Sequence, residues 1–160
     1  MIRVAILTMS DKGAKGERED ESGKTIEQML DPSTFEVTGY EIIPDEFDVI
    51  VSKLMEYSEE TDVILTTGGT GLSPRDVTPD ATLKVVERTI PGICEAMRAM
   101  SMRHTNRAML SRAVAGIRGK CLIINMPGSP KAVEENLGTI RDVIPHAVEK
   151  IKGSQKECAR

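Results

Sequence analysis

Nearly unbroken apolar runs alternate along the chain with segments whose apolar positions recur every three or four residues. Arg3-Val-Ala-Ile-Leu-Thr8 is almost continuously apolar, as expected of a strand buried on both faces. Gly23 to Leu30 has helical spacing at Ile26 and Leu30, and Asp31-Pro32 stops it. Phe35 to Ile43 reads as a second strand. Phe47, Ile50, Val51, Leu54 and Met55 share one helical face, the clearest amphipathic pattern in the sequence. Asp62 to Thr66 is a third strand. The next helix is expected near Thr78, with Thr78 as N-cap and Pro79 at the first helical position. Pro91 opens another helix, carrying Ile93, Met97 and Met100. Ala113 to Ile117 and Lys120 to Met126 read as strands. A last helix carries Val133, Leu137, Ile140 and Ile144, with Pro145 kinking or restarting it. Asp11 to Ser22 is charged and reads as a surface loop. Strands alternating with helices predict a three-layer α/β/α sandwich around a mostly parallel sheet. The expectation is a single domain over residues 1–152 and a polar tail over 153–160.

Composition narrows the function. The chain has 160 residues, of which 39 % are hydrophobic and 29 % charged, so it can bury one core and is not broadly disordered. No apolar run approaches a membrane span, and Met1 to Ser10 lacks a signal-peptide cleavage site, so a cytoplasmic protein is expected. Cys94, Cys121 and Cys158 are widely spaced, which fits a reduced chain without a zinc pattern. The net charge of −4, the absence of Trp, and rings only at Phe35, Tyr40, Phe47 and Tyr57 argue against nucleic-acid binding. One stretch departs from this acidic balance. Ala96 to Val133 contains no Asp or Glu but carries Arg98, Arg103, Arg107, Arg112, Arg118, Lys120 and Lys131. It is either an anion-binding segment or a basic face balanced by acids such as Glu17, Glu19, Asp20 and Glu21.

Candidate chemistry lies in the loops that follow the strands, where open α/β sheets bind ligands. Thr67-Gly-Gly-Thr-Gly-Leu-Ser-Pro-Arg-Asp-Val-Thr-Pro79 is too rich in glycine and proline to be a regular element. Gly68, Gly69 and Gly71 allow backbone N–H groups to approach a phosphate, and Thr67, Thr70 and Ser73 add hydroxyls. Ser22-Gly23-Lys24-Thr25 is not a P-loop, because Arg18 stands where that motif needs its first glycine. Pro127-Gly128-Ser129-Pro130-Lys131 is either an anion site at a helix N-terminus or a well-made cap, with Ser129 as the capping residue. Asp45 follows a strand directly, and Asp76 lies in the glycine-rich loop. Carboxylates beside a phosphate site repel the substrate unless a cation intervenes, and Mg²⁺ suits that place. Asp80 falls in a first helical turn, where it complements the helix dipole. His104 and His146 form no nucleophilic constellation. Cys94 reads as a small buried hydrophobe, and Met97, Met100, Met102 and Met109 as core or subunit-interface residues.

Taken together, Thr67 to Thr82, Met109-Leu-Ser-Arg112, Ala115-Gly-Ile-Arg-Gly119 and Ile124 to Val133 resemble the molybdopterin adenylyltransferases, the Mog/MoaB group that includes the G domain of gephyrin. Ser10-Asp11 and Pro44-Asp45-Glu46 match as well, and the similarity runs from Val4 to about Ile151. The resemblance implies transfer of AMP from Mg-ATP to molybdopterin with release of pyrophosphate, in molybdenum cofactor biosynthesis. It implies Mg²⁺ and catalytic roles for Asp45 and Asp76. It implies substrate contacts at Ser10, Asp11, Thr67, Gly68, Gly69, Thr70, Gly71, Ser111, Pro127, Gly128, Ser129 and Pro130, with Ser111 and Ser129 on the pterin side. It further implies a homotrimer, sometimes paired into a hexamer, and a separate MoeA-type molybdenum insertase as partner. The alternative is a non-catalytic molybdopterin carrier, and a competence-type pyrophosphatase domain is a third reading.

Overall fold

The computed structural model describes residues 1–157, so Cys158 lies outside the described residues. The elements in chain order are β1 (Ile2–Met9), α1 (Asp11–Ala14), α2 (Glu21–Met29), β2 (Phe35–Ile43), α3 (Phe47–Glu60) and β3 (Val63–Thr67). They continue with α4 (Thr78–Val85), β4 (Arg88–Thr89), α5 (Pro91–Ser101), β5 (Ala115–Arg118), β6 (Cys121–Met126), α6 (Pro130–Ile140) and α7 (Ile144–Ile151). The strands form one sheet in the order β2-β1-β3-β6-β5-β4. The first four run parallel, and β5 and β4 are added antiparallel.

Alternation along the central strands explains why they read as continuous apolar runs. Val4 and Ile6 of β1, Val63 and Leu65 of β3, and Leu122 and Ile124 of β6 point to one face. There they meet Ile26 of α2, Met97 of α5, Leu137 of α6 and Val148 of α7. Ala5, Leu7, Ile64 and Ile123 point to the other face, under Ile50 and Leu54 of α3 and Ala81 and Val85 of α4. Both faces are covered, so no polar alternation is needed. Each of the large aliphatic side chains buried here contributes about 1.5–3 kcal/mol of transfer free energy. The result is the expected three-layer α/β/α sandwich. No helix among the described residues is long and apolar enough to cross a membrane.

At the opposite end of the sheet from the candidate loops, Asp62 is 3 % exposed. Its Oδ1 pairs with Arg3 Nη2 at 3.1 Å and with Lys152 Nζ at 2.8 Å, tying the start of β1 to the end of α7. Burial alone would raise this carboxyl, but the hydrogen bonds from Arg3 and Lys152 outweigh it and hold its pKa at about 2.

Several boundaries differ from the sequence pattern. The segment Asp11 to Ser22 is not all loop: Ser10 caps the single turn α1 through Gly13 N, 2.9 Å away. Helix α2 starts at Glu21 rather than Gly23, because the Asp20 carboxylate caps it through Gly23 N at 2.9 Å. Thr78 does not cap α4. Val77 takes the capping position, and the Thr78 hydroxyl donates instead to the Gly68 carbonyl at 3.0 Å. The two-residue β4 and a 3-10 turn over Asn106–Leu110 carry too little periodicity to be seen in sequence. The restart at Pro145 is real: a 3-10 turn over Arg141–Val143 separates α6 from α7.

Candidate active site

Parallel strands bring the ends of β1, β2, β3 and β6 to one edge, so the four candidate loops converge there. The loop after β3 depends on two left-handed glycines. Gly68 has φ +92°, and a Cβ there would lie 2.4 Å from the Met9 carbonyl oxygen. Gly69 has φ +69°, and a Cβ there would lie 2.3 Å from Thr78 Oγ1 and 3.3 Å from Asp45 Oδ1. Both positions therefore need glycine. The buried Thr67 hydroxyl donates to the Pro127 carbonyl at 2.7 Å, locking this loop to the one after β6.

Asp11 and Asp45 hold each other. The Asp11 N–H donates to Asp45 Oδ2 at 3.0 Å, and the Asp45 N–H donates to Asp11 Oδ1 at 3.0 Å. Arg75, from the glycine-rich loop, grips Asp11 in a two-point contact of 3.0 and 2.8 Å and also reaches Glu46 Oε1 at 3.0 Å. The guanidinium holds the Asp11 carboxyl below the usual carboxylate range. Asp45 behaves oppositely. Burial pushes it up, the Asp11 N–H opposes this only in part, and the charges of Asp11 and Asp76 push it further. Asp76 Oδ2 accepts from the Ser73 N–H at 3.0 Å and the Ser73 hydroxyl at 2.8 Å.

Arg112 is the clamp that sequence reasoning missed. Its Nε donates to the Gly71 carbonyl at 3.0 Å and its Nη2 to the Asp76 carbonyl at 2.6 Å. Two further donors meet the Asp80 carboxylate at 3.2 and 3.1 Å, and its backbone N–H meets the Thr70 carbonyl at 3.0 Å. One residue, through its backbone N–H and its guanidinium, thus fixes both ends of the loop from Thr70 to Asp80. The signal was present as Arg112 in an acid-free stretch, but that stretch reads as an anion site or a charged face, not a brace. Arg98 is similar: its Nη1 lies 3.3 Å from the carbonyl oxygens of both Ser111 and Ala113. Arg118 donates to the Val85 carbonyl at 3.4 Å. Three cations of the basic segment, Arg98, Arg112 and Arg118, are therefore bound to backbone oxygen.

Two cavities flank the glycine ridge. The polar one, of about 470 Å³, is lined by Ser10, Asp45, Thr67, Gly68, Gly69, Asp76, Gly128 and Pro130, and also by Arg18 to Ser22. The other, of about 440 Å³, is mostly apolar, with Leu72, Met97, Leu110 and Ala113 among its walls. Thr70, Gly71, Ser111 and Pro127 face this second cavity, as do Arg98 and Arg107. Asp11 and Ser129 line neither. Asp11 braces Asp45, and Ser129 caps α6 through Ala132 N at 3.2 Å. His104 is half-exposed, with Nε2 3.7 Å from Glu135 Oε1. Cys94 and Met97 are buried, whereas Met102 and Met109 are exposed. The residues missed in the sequence are Arg18 to Ser22, hidden in what reads as a surface loop.

A doubly wound sheet with a glycine ridge, two carboxylates and paired cavities at its switch point defines a class: α/β proteins that bind small phosphorylated ligands. The chain belongs to the family described as "Probable molybdopterin binding domain", whose model matches residues 5–146. It is 43 % identical to a molybdopterin adenylyltransferase of Helicobacter pylori strain J99, over 96 % of this chain and 89 % of the relative. It is 35 % identical to the Escherichia coli K12 molybdopterin adenylyltransferase, over 99 % of this chain and 89 % of the relative. The crystal structure of the molybdopterin biosynthesis enzyme MoaB from Thermus thermophilus superposes with a TM-score of 0.90 at 48 % identity, covering 96 % of this chain and 98 % of that one.

Proposed function

We propose that the chain is a molybdopterin adenylyltransferase of molybdenum cofactor biosynthesis, acting on ATP and molybdopterin. The observation that carries this reading is the pair of cavities meeting at the Gly68–Gly71 ridge, one polar and bearing Asp45 and Asp76, the other apolar. The polar cavity takes the phosphates of ATP, and the apolar one takes the pterin ring. The molybdopterin phosphate then reaches across the ridge to the α-phosphorus of ATP.

The donor set fits Mg²⁺. Asp45 and Asp76 line the polar cavity together with Glu19, Asp20 and Glu21, and the carboxylate repulsion already felt at Asp45 is relieved by a cation shared with substrate phosphates. Asp45 and Asp76 would hold the ion, which supplies charge neutralisation on the departing pyrophosphate. The chain's own residues do the rest. Backbone N–H groups of the glycine loop hold the phosphates. Arg112 and Arg75 keep the loop and Asp45 in place. A molybdopterin phosphate oxygen forms the new bond to the α-phosphorus as the bond to the β-phosphate oxygen breaks, and pyrophosphate leaves. A phosphate is already a competent nucleophile, so positioning and charge stabilisation suffice without a covalent intermediate.

The exposed Leu72, Met109 and Leu110 beside the apolar cavity suit a homotrimer contact, and the adenylylated product is passed to a MoeA-type insertase. The function is tested by ATP binding with and without Mg²⁺. Binding that requires the metal and is lost in Asp45→Asn and Asp76→Asn, with molybdopterin binding retained, is the expected result. ATP binding indifferent to both changes contradicts the assigned roles.

A further inference from the structure

Glu135 is the single carboxylate lining the apolar cavity. It projects from α6, and its side chain is only 17 % exposed. The other polar groups there are donors or are already engaged. Arg98 donates to two backbone carbonyls. Asn136 Nδ2 donates to the Ser101 hydroxyl at 2.9 Å and to the Ala132 carbonyl. The Ser111 hydroxyl accepts the Ala113 N–H at 3.3 Å. The only basic side chain paired with the Glu135 carboxylate among the described residues is the half-exposed His104, at 3.7 Å. Among the described residues this carboxylate, set against apolar walls, meets no donor but His104 at the edge of reach, an arrangement that is costly unless a ligand supplies donors.

A carboxylate offers two parallel acceptors. Its complement is an edge with two adjacent N–H donors, as in an amino-pyrimidinone ring. A pterin has this edge at its ring N–H and exocyclic amino group. Adenine does not, because its amino group sits between ring nitrogens that accept. We propose that Glu135 is the specificity-determining residue of the apolar cavity, reading the amino-pyrimidinone edge of the pterin and rejecting the nucleotide base. This rests on the assignment of that cavity to molybdopterin. Placement on α6 suits the role, since the N-terminus of the same helix also borders the polar cavity at Pro130. One rigid element then sets the distance between ring recognition and the phosphate ridge.

The test is molybdopterin binding to wild type, Glu135→Gln and Glu135→Ala, with ATP binding measured in parallel. The glutamine variant is isosteric and presents a donor where the pterin needs an acceptor. Binding of molybdopterin is expected to weaken by about 10- to 100-fold in both variants, the cost of a hydrogen bond to a charged group, with ATP binding unchanged. Displacement supplies a readout that a merely structural role would not move. Wild type should prefer a 2-amino-4-oxopteridine to a 2,4-dioxopteridine, and Glu135→Gln should lose that preference. Undiminished molybdopterin binding by the folded glutamine variant, or no ring preference in wild type, overturns the role of Glu135 and leaves the transferase reading standing. Competition between ATP and molybdopterin for one site overturns the cavity assignment itself.

Discussion

The two cavities on either side of the glycine ridge are similar in volume and opposite in construction. The polar one is built largely from backbone geometry and loop hydrogen bonds: left-handed Gly68 and Gly69, the reciprocal Asp11–Asp45 pair that joins two loops, and the local Ser73–Asp76 contacts. The apolar one is built from side chains of α5, α6 and the 3-10 turn, with Glu135 as its one acid. The first presents charge-handling groups at fixed places, as phosphate chemistry requires. The second offers a greasy slot with few directional contacts, as ring binding requires. Damage to one should therefore leave binding at the other intact, and that separability is what substitutions can break or sharpen.

The largest effect is expected at the carboxylates. Asp45→Asn or Asp76→Asn should lower the rate of AMP transfer by about 100-fold or more, within the range seen when one charge-stabilising group is removed. Molybdopterin affinity, measured by titration, should hold. A comparable loss of pterin affinity would mean that the cavities are not separable. Gly69→Ala comes next. Its Cβ would sit 2.3 Å from Thr78 Oγ1 in a left-handed conformation, so about 1–3 kcal/mol of strain should appear as weakened ATP binding. Arg112→Lys keeps the charge but cannot span the carbonyls of Gly71 and Asp76 and the Asp80 carboxylate together. It should lower kcat/KM for ATP by about 10-fold, with the far ends of the cavities untouched.

The smallest effect on activity belongs to Asp62→Asn, remote from both cavities. Because the folded pKa of Asp62 is depressed to about 2, its stabilisation is complete above the ordinary carboxylate pKa and fades as pH falls toward 2. At neutral pH the substitution should cost about 1–2 kcal/mol, allowing for the half-exposed Arg3 and Lys152. Thermal unfolding would show a lowered midpoint at pH 7 that converges on wild type in acid. Transfer activity at low temperature should be unchanged.

Much of this architecture was legible in the sequence because the fold is governed by periodicity. The strands buried on both faces, the amphipathic α3 and the Ser129-Pro130 start of α6 follow from local rules that tertiary packing did not override. The glycine-rich loop was visible as well, since no regular element accommodates its composition. What sequence could not show were the partners of charged side chains. Arg112 and Arg98 look like ligand-binding cations until the carbonyls that they brace are seen. Asp20 looks like solvated surface until its carboxylate is found buried, capping α2 and accepting from the hydroxyls of Thr8 and Tyr40. Thr78 looks like a cap, but the nearby Gly68 carbonyl competes for its hydroxyl. Apart from the local cap of Asp20 on Gly23, each of these contacts spans a sequence distance that no local pattern encodes.

The central claim is that the ridge between the cavities is where AMP passes to molybdopterin. Incubating purified protein with molybdopterin, ATP and Mg²⁺, and resolving the products by chromatography, tests it directly, with Asp45→Asn alongside. Adenylylated molybdopterin and pyrophosphate in equal amounts from wild type, and neither from the variant, is the predicted result. Tight molybdopterin binding without product would contradict it and make the chain a carrier.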